Sequence, residues 1–355
     1  MELSNVQREI VEATESKIVV HSSAGSGKTK CLVARLKYLL DKGIDSNKIV
    51  AITFTNAAAE EIYERLGKPN GLFVGTIHSY ANQLLLMSGI DTKDLLDKEK
   101  FDKLFSRVKK HLECIKEVEY LLVDEGQDSS AEQFEFCLDT VKPKNWMIFA
   151  DTRQSIYRFA GAKPEYILNL MLDPSVKVYQ LTENYRNGKN ILDFARELIN
   201  PLGSKYTDNS KAMREAKGAV LTTEYYGPGI ASTIKRRVDK GQDNYSDWFI
   251  VTRTNAQSEK IINELIKAKV PYDTFKKANL DNKGLKQKMK ENTVKVLTIH
   301  TAKGLEAKNV VVIGAHFKDI EERCLCYVAA TRAKDLLVWT NSPNRKKPKV
   351  STWGC

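Results

Sequence analysis

KIVVHSSAGSGKTKCLVARLKYLL, residues 17–40, decides the fold class. The apolar run at its start has strand character, and CLVARLKYLL spaces its apolar residues as an amphipathic helix does. Between them the small residues of HSSAGSG leave room for a tight loop. Strand, loop and helix in that order are the context that a phosphate-binding loop requires. Gly25 and Gly27 can take left-handed conformations that turn successive backbone amides, that of Ser26 among them, toward phosphate oxygens, and the helix N-terminus adds its partial positive charge. Lys28 is then expected to reach the β and γ phosphates, and Thr29 to bind magnesium. The strict pattern asks for glycine where Ser22 stands, a small residue in an otherwise complete context.

A second cluster ends another apolar run, in YLLVDEGQD at residues 120–128. Asp124, at the strand's C-terminal end, is placed to hold magnesium through water, and Glu125 to take a proton from the attacking water. Two adjacent acids alone more often just close a strand at a solvated surface. Beside a phosphate loop they make a hydrolysis site, with ATP and Mg2+ as the expected ligands. A P-loop kinase or small-molecule NTPase would need no more than these two clusters.

Outward from them, strand-length apolar runs alternate with segments of helical period, which argues for an α/β fold with mainly parallel sheets. Strands are expected at 18–20, 49–53, 72–75, 120–124 and 146–150 in a first half, and at 176–181, 220–224, 248–252, 294–299, 310–313 and 336–340 in a second. A chain of 355 residues admits two domains. The Asp-Pro-Ser turn chemistry of LDPSVK puts their boundary near Asp173. The expected division is a first domain at 1–173, carrying the phosphate loop and the DEGQD cluster, a second at 174–341, and a basic tail at 342–355. The Lys-rich stretch 276–292 and the tail's RKKPK read as solvated segments, with auxiliary phosphate contact as the sharper alternative.

Lys and Arg outnumber Asp and Glu by 56 to 45, a formal charge of +11, which favours a polyanionic partner through counterion release. No apolar run approaches the roughly 20 residues of a membrane span, so no membrane partner is expected. The start MELSNVQREIVEAT lacks the basic-then-apolar order of a secretory signal, and a cytoplasmic location is expected. Cys31, Cys114, Cys137, Cys324, Cys326 and Cys355 show no CxxC spacing and read as reduced structural thiols.

The signature DExQD, here Asp124, Glu125, Gly126, Gln127 and Asp128, resembles that of the UvrD/Rep-type superfamily 1 helicases. Further segments resemble that group in the same order: LSNVQREIV at 3–11, AITFTNAAAEEI at 51–62, VGTIHSYA at 74–81 and FADTRQSIYRFAGA at 149–162. The second half adds LTENYRNGKNIL at 181–192, VTRTNAQSEKI at 251–261, VLTIHTAKGLEAKNVVVIG at 296–314 and YVAATRAKDLLV at 327–338. The resemblance implies two RecA-like domains of the P-loop NTPase type with an ATP cleft between them. It also implies a motor that moves 3′ to 5′ along single-stranded DNA or acts at a single-to-double-strand junction, with replication or repair proteins as further partners.

By the same resemblance, Gln7 would bond the adenine edge, Tyr185 would stack on its face, and Gln154 would sense the γ phosphate. Arg186 in NYR and Arg332 in ATRA would neutralise charge that grows on the γ phosphoryl group in the transition state. Glu306 in AKGLE would reach the ribose hydroxyl. Phe54, Tyr157 and Phe159 would stack on bases, and Thr53, Asn56, Thr76, His78, Arg253 and His300 would lie near the DNA backbone. Stacking tolerates any base sequence, as a translocating motor requires. By residue type alone, the two arginines are ordinary salt-bridge partners and Phe54 and Phe159 are core aromatics.

Relatives carry large accessory insertions after the GTxHS segment and before the TxHxAKG segment, whereas here Ser79 stands close to Asp124 and Phe275 close to Thr293 in the chain. Translocation, or remodelling of protein on DNA without strand separation, is therefore the alternative to unwinding. The second half with its two arginines argues against a P-loop kinase. Phe159 stands where the group has tryptophan, Ala160 where it has arginine, Thr152 and Arg153 where acids are common, and Gly126 where an aromatic is usual. No nuclease is expected after the last motor segment.

Overall fold

The computed structural model describes residues 2–98, 100–101, 103–224, 227–275, 287–315 and 317–341. Most of the Lys-rich stretch and the whole basic tail, Cys355 included, lie outside the described residues. The chain divides into two compact units, Met1–Thr182 and Glu183–Cys355.

The first unit is built on a parallel sheet of β1 (Lys17–Ser22), β2 (Ile49–Ile52), β3 (Phe73–Gly75), β4 (Tyr120–Val123), β5 (Asn145–Ala150) and β6 (Lys177–Leu181). The order across the sheet is β3-β2-β4-β5-β1-β6. The central strands are buried on both faces, which is why they read as continuous apolar runs rather than alternating ones. On one face α1 (Asn5–Glu12) and α2 (Lys28–Asp41) cover Ile18, Val20 and Phe149 with Ile10, Leu32 and Leu36. On the other, α4 (Ile77–Met87), α6 (Lys103–Lys110) and α8 (Pro164–Leu170) cover Val19, Leu121 and Ile148 with Leu84, Phe105 and Ile167. The remaining helices are α3 (Asn56–Arg65), α5 (Lys93–Leu96) and α7 (Ala131–Glu135). Because every strand runs the same way, the residues that follow β1, β2, β3, β4 and β5 all emerge at one edge, where ligands of open α/β sheets bind.

The strand expected to open the second half is instead the edge strand of the first unit. Asp173 accepts from the Ser175 amide at 2.8 Å, which makes LDPSVK the turn that its composition predicts. The turn returns the chain to the sheet, where β6 pairs with β1 from Ile18↔Lys177 to Ser22↔Leu181. The units therefore divide after Thr182 rather than near Asp173.

The second unit repeats the plan with β9 (Ala219–Glu224), β10 (Trp248–Thr252), β11 (Tyr272–Thr274), β12 (Val294–Thr298), β13 (Ala307–Ile313) and β14 (Ala333–Asn341), in the order β11-β12-β10-β13-β14-β9. All neighbours are again parallel. Helices α10 (Gly227–Asp239) and α11 (Asn255–Lys267) pack Ile230, Ile234, Ile261 and Leu265 against one face. Helices α9 (Lys189–Ile199), α12 (Ile299–Ala302) and α13 (Ile320–Ala330) complete the unit. Two short strands, β7 (Glu183–Asn184) and β8 (Lys211–Ala212), pair apart from the main sheet. Among the described residues no helix is long and apolar enough to cross a membrane, and the five described cysteines are free and buried.

Candidate active site and nucleic-acid interface

The loop between β1 and α2 has Gly25 at φ 66° and Gly27 at φ 81°, the left-handed conformations that glycine takes without a Cβ clash. A Cβ on Gly27 would also stand 3.0 Å from the Gln7 amide nitrogen. Lys28 opens α2, is buried, and lies 3.2 Å from the Glu125 carboxylate. Burial works to lower the Lys28 ammonium, but Glu125, Asp151 and Asp124 outweigh it and hold the group above its ordinary value. Thr29 donates its hydroxyl to Asp124 at 3.3 Å. Burial, and then the neighbouring Glu125, push the Asp124 carboxyl up to about 6, against the opposing pull of Lys28.

Asp124 follows β4, and its other oxygen accepts from the backbone amide of Glu125 at 3.0 Å. Glu125 sits at φ 53°, a left-handed conformation that is costly for a residue with a Cβ. Its carboxylate is held between Lys28 and the Gln127 side-chain amide, so the strained backbone presents the acid toward the phosphate loop. Thr29 and Asp124 offer a hydroxyl and a carboxylate side by side, a donor set that suits Mg2+ completed by phosphate oxygens and water. Among the described residues no group of three or more His, Cys, Asp or Glu side chains could hold a metal by itself.

Gln7 is buried, donating to the Ser26 carbonyl at 3.1 Å and accepting from the Ser4 amide at 3.2 Å in the capping box that starts α1. The amide assigned to adenine thus also ties the first helix to the phosphate loop. Gln154, beyond β5, is buried and donates to Asp151 at 2.7 Å.

Five of the seven DNA candidates of the first unit, Thr53, Phe54, Thr76, His78 and Tyr157, line one cavity of about 290 Å³ that reaches Asp124 and Glu125, and Asn56 and Phe159 lie outside its lining. Thr53 follows β2 and Thr76 follows β3, and Thr76 accepts from the Ser79 amide to cap α4. The Thr53 hydroxyl is buried without a hydrogen-bond partner among the described residues. Phe54 and Tyr157 rings lie 4.8 Å apart, Tyr157 and Phe159 6.0 Å, and Phe159 is 72% exposed. Phe159 is therefore no core aromatic. His78 stacks on Phe105 at 5.0 Å, and Asn56 is exposed at the start of α3.

In the second unit Arg186 donates to Glu306 at 2.6 Å and to the Thr331 carbonyl at 3.4 Å. Arg332 is 1% exposed, its guanidinium bonded to the carbonyls of Val328 and Leu305 and to the Thr331 hydroxyl. Both arginines thus converge on Thr331. The NYRN turn that aims Arg186 is fixed by Asn184, which accepts from the amides of Arg186 and Asn187. Burial would raise the Glu306 carboxyl, but Arg186 and Lys334 hold it down at about 2. Tyr185 is exposed and bonded to Glu183, Arg253 forms a two-nitrogen ion pair with Glu322, and His300 lies in α12 behind the Thr298 cap.

Asp151, Gln127 and Lys334 take part in these clusters without having been singled out by sequence. Their only sequence signal is membership of the segments FADTRQ, DEGQD and ATRAK, and Arg153 stands out only as a departure from the group.

Residues 3–111 and 78–175 match the UvrD/REP helicase N-terminal domain, and residues 179–280 and 273–343 the UvrD-like helicase C-terminal domain. Similar curated proteins include the ATP-dependent DNA helicase PcrA of Leuconostoc citreum, 28% identical with 76% of this chain and 49% of that protein aligned. The PcrA proteins of Bacillus subtilis, 27% identical, and Staphylococcus aureus, 28% identical, align over 76% of this chain and 50% of their own length. The chain spans about half the length of these relatives. With both halves matched and each built on the parallel P-loop plan, the chain belongs to the UvrD-like helicase family.

Proposed function

We propose that this chain hydrolyses ATP with Mg2+ to drive movement along single-stranded DNA, 3′ to 5′, as the motor of an ATP-dependent DNA helicase. The observation that carries the reading is the cluster of Lys28, Thr29, Asp124 and Glu125, four groups from the start of α2 and the end of β4 within 3.3 Å of one another in pairs. When ATP is bound, Lys28 exchanges Glu125 for the β and γ phosphates, and the released carboxylate takes the proton of the attacking water. Thr29 and Asp124 hold Mg2+, which supplies charge neutralisation at the phosphates. Gln7 and Tyr185 take the adenine, Glu306 the ribose, Gln154 the γ phosphate, and Arg186 and Arg332 the charge of the transition state. The cavity beside Glu125, with Phe54 and Tyr157 in its wall, supports a stacking track for bases next to the chemistry. Steady-state ATPase with and without single-stranded DNA tests the reading. The strand should raise turnover at least tenfold, and Lys28→Ala should lower kcat by about 100-fold or more, the order expected for a group that meets developing charge. A rate indifferent to the strand would remove the motor, and a rate indifferent to the substitution would remove the site.

One observation favours translocation over unwinding. Among the described residues between α4 and β4 the helical elements are α5, α6 and a 3-10 turn, and α6 turns Leu104, Phe105 and Val108 into the core of its own unit. Among these described residues little is left to engage a duplex. The protein should strip streptavidin from a 5′-end biotin faster than from a 3′-end biotin, while opening a forked duplex slowly. Efficient fork opening would restore the helicase reading, and equal displacement from both ends would remove the polarity.

A further inference from the structure

Asp151 and Arg153 form an ion pair that is almost sealed from solvent, at 0% and 2% exposure, and hydrolysis as set out above gives Arg153 no task. Both follow β5, the direct neighbour of β1 in the sheet. The Arg153 Nε donates to Asp151 Oδ1 at 2.7 Å, and Gln154 Nε2 donates to Asp151 Oδ2 at 2.7 Å. The Asp151 amide donates to Gln127 of the DEGQD turn at 2.9 Å. On its other side, Arg153 Nη2 donates to the Ser22 carbonyl at 2.6 Å and to the Ser23 hydroxyl at 3.2 Å. Ser22 in turn donates its hydroxyl to the Ala150 carbonyl at 3.0 Å. The roots of the two loops that flank the phosphate site are thus joined by side chains as well as by the sheet.

We propose that Arg153 is a positioning residue of the hydrolysis site: its guanidinium joins Asp151, and through it Gln154, to the root of the phosphate loop at Ser22 and Ser23, so that contact with the γ phosphate and the set of the loop change together. The inference rests on the ATP reading. Only a planar fork can meet a carboxylate on one edge and a carbonyl and a hydroxyl on another, which a lysine cannot reproduce. Without Arg153, Asp151 would be a buried charge held by Gln154 but with no cation bonded to it, and Lys28, on which Asp151 already acts, is the cation it would draw away from phosphate.

The test compares the full chain with Arg153→Met, Arg153→Lys, Asp151→Asn and the double variant Asp151→Asn/Arg153→Met. Three quantities are read: ATPase kcat, affinity for ATPγS against ADP by fluorescent-nucleotide displacement, and melting temperature. Arg153→Met and Asp151→Asn should each lower kcat at least about tenfold and shrink the preference for ATPγS over ADP at least about fivefold. The double variant should recover the wild-type melting temperature, because no buried charge is left alone and Asn still accepts from Gln154, but not the preference for ATPγS, because nothing then joins that side chain to Ser22 and Ser23. Arg153→Lys keeps the charge, so it should melt as wild type does yet lose preference for ATPγS, which covers the case in which Met does not fold. The proposal is overturned if Arg153→Lys keeps the wild-type preference, if the double variant regains it, or if ADP and ATPγS weaken equally in step with melting. If wild type turns over no ATP, the hydrolysis reading fails by itself, while the two binding affinities still judge Arg153.

Discussion

Asp124 shows how one residue can set function against stability. Its carboxyl is pushed up to about 6 by burial and by Glu125, above the 3.8 of an unperturbed aspartate. A group that is harder to ionise in the fold than in the unfolded chain costs stability once it is charged. The cost is absent below about pH 4, grows as pH rises through the interval to about 6, and is complete above it. Removing the charge should therefore help the nucleotide-free protein. Asp124→Asn is expected to raise unfolding free energy at pH 8 by on the order of 1 to 3 kcal/mol, to change it little at pH 4, and to abolish Mg2+-dependent turnover. Chemical denaturation at the two pH values checks the sign. A variant less stable than wild type at pH 8 would mean that the bonds from Thr29 and the Glu125 amide outweigh the desolvation of the charge.

At the scale of elements, the strands were legible because burial on both faces writes itself as an unbroken apolar run, and the phosphate loop because its glycines and flanking periods are local. What failed to show depends on pairing. β6 has the composition of any strand, and only its register with β1 assigns it to the first unit. The Asp-Pro-Ser sequence before it marks a turn but not the boundary, since a turn between units and a turn within one have the same chemistry. β11 has just three half-buried residues, Tyr272–Thr274, and no apolar run to announce it. The site divides in the same way. Lys28, Thr29, Asp124 and Glu125 were legible as two local motifs, but the tie from Arg153 to Ser22 joins residues far apart in sequence, and no spacing rule reports it. Gln7 carries both kinds of information, because SNVQ is a visible capping box while its bond to Ser26 exists only in the fold.

For the molecule as a whole, the proposed function implies that the +11 charge and the aromatic cluster would make separable contributions to a bound strand. Each phosphate neutralised by a cation releases counterions, so the logarithm of affinity should fall linearly with the logarithm of salt, by about 0.7 per contact on a single strand. Stacking releases no counterions and is worth about 1 to 3 kcal/mol per base. Phe54→Ala should therefore lower the whole line by roughly a factor of ten without changing its slope. Arg253 is the informative opposite case, because its guanidinium is already committed to Glu322 through two nitrogens. If DNA phosphate draws it away, Arg253→Gln flattens the line by about 0.7, and Glu322→Gln, which frees the arginine, raises affinity most at low salt. Fluorescence-anisotropy titrations of oligo-dT from 50 to 400 mM salt measure both slope and height. An Arg253→Gln line parallel to wild type would assign this arginine to the fold, held by Glu322 at the end of β10, and leave the backbone grip to the other cations of the chain.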